Sequence, residues 1–365
     1  MSEPAESPAG APATTRPAAH HPLAPVRLTP GYFAGVMATG IVCIGAQLKG
    51  FTLLATALFW LTVVFYVVLL VLTGWRLLSF RHQMSEDFHD PARAFGFFTF
   101  IAATNVLAAS LVGTGHVVVA GVLLAVAVLA WLVLGYVIPW TSVLGMKRRP
   151  MLDTANGTWF IWVVASQSIA VVAAGLEPLY ESQREWLAIL AVLAWSVGVV
   201  LYAGCAVFVA LRVMLYPLRP EHLDPPYWVA MGAVAITIVA GARIVEMKDA
   251  PMIDVTRDLV AGMSVVFWAF ATWLIPVLVA AGFWRHLLHK IPLVYQPTLW
   301  SMVFPLGMYA VAGMYLGQAN RLPVVEAIGA GWWWVALVAW TLVAVGMVRS
   351  IVRAVRAVPA GARAA

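Results

Sequence analysis

Apolar residues run along this chain in ten long stretches, near 31–48, 51–74, 95–113, 117–138, 158–176, 186–212, 227–243, 258–284, 298–316 and 331–349, with charged residues only at their edges. A helix needs about 20 residues to cross roughly 30 Å of hydrocarbon, whereas the strands of a closed barrel would give short alternating segments. The pattern therefore predicts ten transmembrane helices, with edges placed to within about three residues.

The stretches come in two kinds. Odd-numbered spans carry small and polar residues: Thr39, Gly40 and Gln47; Thr104, Asn105 and Ser110; Ser166, Gln167 and Ser168; Gly232 and Thr237; Ser301, Pro305, Gly307 and Tyr309. Even spans such as 117–138 are almost wholly Ala, Val, Leu and Ile. Unsatisfied polar groups are costly in hydrocarbon, so the odd helices are expected to face one another and the even ones to face lipid. The alternation makes the chain a repeat of a two-helix unit, five hairpins in all. Four odd spans open on proline, at Pro30, Pro91, Pro225 with Pro226, and Pro297. Proline suits a first turn, and Thr29, Asp90 and Asp224 beside it are N-cap residue types. The third unit uses Asp153, Thr154 and Asn156 instead. An aromatic residue follows in every odd span: Tyr32, Phe95, Trp159, Tyr227 and Trp300.

Composition agrees, with 62% hydrophobic and 10% charged residues. Soluble domains are nearer 25% charged. Residues 1–28, rich in Ala and Pro, read as a disordered N-terminal tail without a cleaved signal. Residues 29–350 form the membrane domain, and 351–365 a basic C-terminal tail in which Arg349, Arg353 and Arg356 alternate with Val348, Ile351, Val352 and Val355 as an extension of the last helix. The basic residues also set topology. Of the 22 Lys and Arg, 16 lie in the tails and in the loops after even spans, including Lys147, Arg148 and Arg149. By the positive-inside rule both termini are then cytoplasmic, in a multi-pass protein of the plasma membrane. Distributed over loops, this charge makes no single patch for nucleic acid.

The chemistry of a membrane enzyme or proton pump is missing. No charged residue lies near mid-span, and all eight histidines fall in tails, loops or helix ends. No metal site or cofactor is expected, and Cys43 and Cys205 read as small buried apolar residues. A sequon at Asn156-Gly157-Thr158 falls on the cytoplasmic side and is a chance match. A pathway without fixed charge can still favour anions, because five helix N-termini face one mouth, each with roughly half a positive charge.

The stretch Gly31-Tyr32-Phe33-Ala34-Gly35-Val36-Met37-Ala38-Thr39-Gly40-Ile41-Val42 opens the first span, Tyr227-Trp228-Val229-Ala230-Met231-Gly232 the seventh, and Trp300-Ser301-Met302-Val303-Phe304-Pro305-Leu306-Gly307 the ninth. Together with the ten-span layout they resemble the tellurite-resistance/dicarboxylate transporter family, whose members include malate permeases, sulfite exporters and plant slow anion channels. The resemblance covers about residues 29–350. It implies an all-α integral membrane fold of ten transmembrane helices, five hairpins in a quasi-fivefold ring around a central pore lined by the odd helices. It implies a homotrimer with one pore per subunit, and a pore plugged by Phe304. The chain departs from better-known members in having proline inside one inner helix alone, at Pro305. Candidate pore-lining residues are Thr39, Gly40, Thr104, Asn105, Ser166, Gln167, Gly232, Thr237, Ser301, Pro305 and Met308.

The first functional reading is transport of C4-dicarboxylates such as malate or succinate. A passive channel or exporter for chloride, nitrate, sulfite or tellurite is the alternative, and the lack of an intramembrane carboxylate favours it mildly. A membrane-embedded enzyme or scaffold is a remote third.

Overall fold

The computed structural model describes Pro25 and residues 28–145, 152–248 and 251–356. The expected N-terminal tail apart from Pro25 and Leu28, the basic Lys147, Arg148 and Arg149, and residues 357–365 of the expected C-terminal tail lie outside the described residues. Helices dominate, with no strand among the described residues. Five of them, α1 (Ala34–Leu48), α4 (Phe98–Val112), α6 (Phe160–Leu176), α8 (Val229–Val245) and α10 (Trp300–Ala319), correspond to the odd spans. The even spans are α2 (Thr52–Ser79), α5 (Val117–Ile138), α7 (Arg184–Leu215), α9 (Pro251–Phe283) and α11 (Pro323–Arg356), and a short α3 (Arg81–His89) follows α2. Ten helical segments are long and apolar enough to cross a membrane.

Two helix starts differ from the hydropathy reading. α9 starts at Pro251 rather than near 258, and α11 at Pro323 rather than near 331. Their first turns carry Asp254, Arg257 and Asp258, or Glu326, which end an apolar window but not a helix. Proline at the first position starts each of them, and Arg257 pairs with Asp254 at 3.5 Å one turn away. At the other end α11 runs on through Ser350 to Arg356.

Each inner helix is introduced by a 3-10 turn: Pro30–Phe33, Ala94–Phe97, Gly157–Trp159, Pro225–Trp228 and Pro297–Leu299. The expected caps are of two kinds. Thr29 and Asp224 take the extended backbone of a cap but make no side-chain capping bond. Proline has already removed a donor there, and the free N–H groups of Tyr32 and Tyr227 bond the Thr29 and Asp224 carbonyls instead. Where proline is absent, the Asn156 side chain caps, accepting from the Thr158 N–H at 2.8 Å. Asp90 also caps with its side chain, accepting from the Ala92 N–H at 2.9 Å, although Pro91 follows it.

The spans sort cleanly by depth. Odd spans are 78–89% buried and even spans 6–33%. Each inner helix packs extensively on the outer helix that follows it, giving five hairpins. Among inner helices, α1 touches α4, α4 touches α6, α6 touches α8, α8 touches α10, and α10 returns to α1, so their contacts close on themselves. We call the side on which the inner helices begin the start face, and the opposite side the far face.

A second circuit ties the units together. In each case the outer helix of one unit meets the inner helix of the next through a buried or partly buried polar contact. From α2, the Tyr66 hydroxyl meets Thr104 Oγ1 of α4 at 2.7 Å, and from α5 the Trp131 indole donates to Ser166 Oγ of α6 at 2.9 Å. The Trp195 indole of α7 donates to the Thr237 carbonyl of α8 at 3.1 Å, and Thr272 of α9 meets the Tyr309 hydroxyl of α10 at 2.8 Å. The fifth contact closes the circuit: Trp340 of α11 donates to Thr39 Oγ1 of α1 at 3.1 Å, and Trp333 to the Val42 carbonyl at the same distance.

The geometry explains why a small hydroxyl sits at these points. Thr39, Thr104, Ser166 and Thr272 each donate their own proton back to the carbonyl four residues earlier. A hydroxyl has one proton and two lone pairs, so this leaves an acceptor facing the neighbouring helix. In hydrocarbon that acceptor must find a donor inside the protein. Trp131→Phe removes one such donor while keeping an apolar ring. It is expected to lower stability in detergent by about 0.6–1.7 kcal/mol without loss of fold, checked by reversible denaturation beside a lipid-facing control, Trp273→Phe.

Candidate functional site

Between the inner helices, on the far-face half of the bundle, lies a cavity of about 400 Å³. Every residue lining it belongs to an inner helix or its last turn. From α1 come Ile41, Ile44 and Gln47, and from α4 Asn105, Ala109 and Val112. Ser168, Val172 and Gly175 form the α6 stripe. α8 and α10 contribute in the same register: Ile236, Val239, Arg243 and Glu246 on one, Met308, Val311, Tyr315 and Gln318 on the other. Steps of three and four residues keep each stripe on one helix face. Exposure falls along the stripes, from exposed Glu246 and Gln318 to buried Asn105, Ile236 and Met308. The cavity thus opens at the far face and ends inside the bundle.

At its floor, Asn105 Nδ2 donates to Ser168 Oγ at 2.9 Å and Ser168 donates to the Ala165 carbonyl at 2.7 Å. Asn105 Oδ1, also buried, has no protein partner. One helical turn below the floor residues lie Met37, Ile101, Val164, Gly232 and Phe304, all buried and all apolar. Phe304 is 1% exposed and sits four residues before Met308, on the same face of α10. Pro305 beside it removes the N–H that would have bonded the Ser301 carbonyl.

Of the residues expected to line a pathway, Asn105 and Met308 line this cavity; the others do not. Thr39, Thr104 and Ser166 turn outward into the contacts with Trp340, Tyr66 and Trp131. Gln167 donates to the Trp195 carbonyl of α7 at 3.0 Å, in space left by Gly198. The Thr237 hydroxyl bonds back to the Ala233 carbonyl at 2.7 Å. Gly40 and Gly232 serve close approach: a Cβ at Gly40 would collide with Val106 of α4, and one at Gly232 would lie 2.8 Å from the Pro305 ring. Ser301 lies in the first turn of α10, on the start-face side of Phe304. For Thr39, Thr104, Ser166 and Gln167 the physical reason is shared: polar side chains that could face a pathway are spent on neighbours within the wall.

Sequence reasoning missed the charged rim. Arg243 and Glu246 are the only charged residues lining the cavity, and they pair at 3.3 Å. The Arg243 guanidinium carbon lies 4.5 Å from the centre of the Tyr315 ring, and Nη2 donates to the Tyr315 hydroxyl at 3.4 Å. Arg243 ends the seventh apolar stretch, where a charge reads as a span edge. The signal available was its spacing, seven residues after Ile236 and hence on the same face. Among the described residues, no three His, Cys, Asp or Glu gather as a metal site.

The start face is held by buried arginines near the ends of outer helices. Arg76 pairs with Asp87 at 2.6 Å, and Arg93 adds a second contact to Asp87 at 3.0 Å. Arg212 donates to the Asp153 carbonyl at 2.9 Å. Arg285 donates to the carbonyls of Pro220, Glu221 and Leu223, the loop that leads into α8. Next in that loop, Asp224 has an unpartnered buried Oδ1. Burial pushes its carboxyl up to about 6, partly offset by Arg285. A raised carboxylate pKa favours the folded state at low pH and loses that contribution as pH rises through about 6. Asp224→Asn is therefore expected to raise the melting temperature at pH 7.5 by a few degrees and to flatten its dependence between pH 5 and 7.5, both roughly bracketing that pKa. Unchanged pH dependence would show that Asp224 does not titrate there.

Residues 27–348 match the voltage-dependent anion channel family (SLAC1). Among curated proteins, an uncharacterized membrane protein of Mycobacterium tuberculosis is 60% identical over 151 residues, covering 41% of this chain and 77% of that protein. An uncharacterized transporter of Methanocaldococcus jannaschii is 24% identical over 320 residues, 86% of this chain and 90% of its own length. A second transporter of that organism is 24% identical over 201 residues, 55% of this chain and 57% of its own.

Proposed function

This chain belongs to the voltage-dependent anion channel family, and we propose that the axis of its inner helices is a conduction pathway for small anions, closed at the level of Phe304. The cavity carries this reading: its lining comes from all five inner helices and from no outer one. A quasi-fivefold ring is the arrangement that the closed circuit of inner-helix contacts supports. Beneath the floor, the apolar side chains of Phe304, Met37, Ile101 and Val164 offer water no strong polar partner, and apolar constrictions close pores by dewetting as well as by bulk. Both termini and the start face are cytoplasmic in this reading, since 16 of the 22 basic residues belong to that side. The positive ends of five inner helices then draw cytoplasmic anions inward. The protein works in the plasma membrane as a homotrimer with one pore per subunit, the exposed apolar faces of the outer helices meeting lipid and neighbouring copies.

The substrate class we favour is C4-dicarboxylates such as malate or succinate, carried without cofactor or catalysis. A passive channel or exporter for chloride, nitrate, sulfite or tellurite is the second reading. One observation favours it: Glu246, at the rim, is the sole carboxylate lining the cavity, so no acid at depth accompanies a substrate with a proton.

Opening the constriction tests the gate. In liposomes with matched amounts of folded protein, nitrate, chloride and malate flux should rank Phe304→Ala above Phe304→Leu above wild type. If Phe304 only packs the core, truncation costs about 3–5 kcal/mol and lowers folded yield without any gain of flux. Equal flux in well-folded variants removes Phe304 from the mechanism. Topology has a separate test, because His82 and Glu181 are exposed on opposite sides. With Cys43 and Cys205 replaced, an impermeant thiol reagent on intact cells should label a cysteine at Glu181 and not one at His82; the reverse pattern would invert the orientation.

A further inference from the structure

The cavity has a distinctive chemistry at its rim that a uniform apolar tube would lack. Arg243 is the one cation among its lining residues. Its guanidinium is held by two neighbours, Tyr315, whose ring centre lies 4.5 Å from the guanidinium carbon, and Glu246 at 3.3 Å. Of its five N–H donors, one meets Glu246 Oε2 and one the Tyr315 hydroxyl; the rest have no partner among the described residues. The side chain is 29% exposed, so it is partly desolvated yet within reach of a solute in the cavity.

We propose that Arg243 is an oxyanion-recognition residue at the far-face mouth, selecting planar anions such as a substrate carboxylate or nitrate over halide. This inference rests on the cavity being an anion pathway, and adds to it a substrate class.

Geometry sets the preference. A guanidinium presents paired N–H groups in a flat fork that matches two oxygens of a planar anion, whereas a spherical halide meets only the charge. The contacts with Tyr315 restrain the fork at the cavity rim, which lowers the ordering cost of each bond formed. Glu246 is itself a carboxylate on the same guanidinium, and so shows the kind of group the fork accepts. It also competes: an incoming anion shares or displaces it. Partial neutralisation by Glu246 keeps the site from holding an anion so tightly that conduction stops. Gln47 and Gln318 complete a polar rim of uncharged amides. The floor, by contrast, offers only Asn105 and Ser168, whose polar atoms are largely committed to each other and to backbone.

Three variants separate shape from charge. Arg243→Lys keeps the cation and loses the fork, Arg243→Gln loses both, and Glu246→Gln removes the competitor. Each is made in the Phe304→Ala background and alone, reconstituted in liposomes at matched monodisperse protein, with malate, nitrate and chloride as the probes. Concentration dependence of flux is read for each anion. Arg243→Lys should weaken half-saturation by malate and nitrate about tenfold, the loss of one charge-assisted bond, and change chloride less than about twofold. Glu246→Gln should strengthen malate and nitrate half-saturation. Arg243→Lys with the wild-type ratio of malate to chloride overturns the assignment of shape selectivity while leaving the pathway standing. If neither wild type nor Phe304→Ala passes any of the three anions, the pathway reading itself fails and this inference with it. Should Arg243→Gln not fold, the Lys and Glu246→Gln comparisons still decide the question.

Discussion

The fold depends on one constraint: a hydrogen-bonding group on a helix inside a membrane has to find its partner within the protein. Three times an outer-helix indole or phenol meets an inner-helix hydroxyl; Trp195 meets a backbone carbonyl instead, and between α9 and α10 the outer helix supplies the hydroxyl and the inner one the phenol. Tyr66, Trp131, Trp195, Thr272 and Trp340 each reach from one unit to the inner helix of the next, and the last reaches the first. Individually such contacts are worth about 0.6 kcal/mol. Their value is directional, since each fixes the rotation of an inner helix relative to a neighbour that apolar packing alone would leave less defined. With the polar side chains turned into the wall, the faces left toward the axis are mostly Ile, Val, Met and Ala, interrupted at the floor and at the rim.

That division gives the cavity its electrical character. From the far face inward, the cavity runs from the Arg243 and Glu246 pair past an apolar wall to the Asn105 and Ser168 floor. Beyond the floor the wall closes over Phe304. Charge at the rim influences an incoming ion over about 8 Å at physiological salt, so it acts on the approach and not on the far side of the constriction. The start face has a different design: Arg76, Arg212 and Arg285 are all consumed by carboxylate or carbonyl partners in the loops. They fix the loops leading into the inner helices instead of facing an ion.

The membership of this chain in an anion channel family and the lining of its cavity support each other through different observations. One is a likeness along residues 27–348, the other a juxtaposition of residues far apart in that likeness.

Ten spans, their pairing and the burial of the odd set were legible in the sequence, because hydrophobic length and the contrast between Ala/Val/Leu runs and polar-bearing runs are one-dimensional properties. So was the placement of Phe304 beside Pro305. Which face of an inner helix looks at the axis was not legible. A helix buried on every side has no polar stripe to mark one direction, so Thr39, Thr104 and Ser166 read as pathway residues when they are wall residues. Arg243 erred the other way: at the end of an apolar run a charge looks like a boundary, and only the packing of α8 against α10 puts it over Tyr315 and inside the cavity rim. Sequence alone determined how many helices cross and which are central. The tertiary structure decided how each is turned, because that rotation is set by partners on other helices.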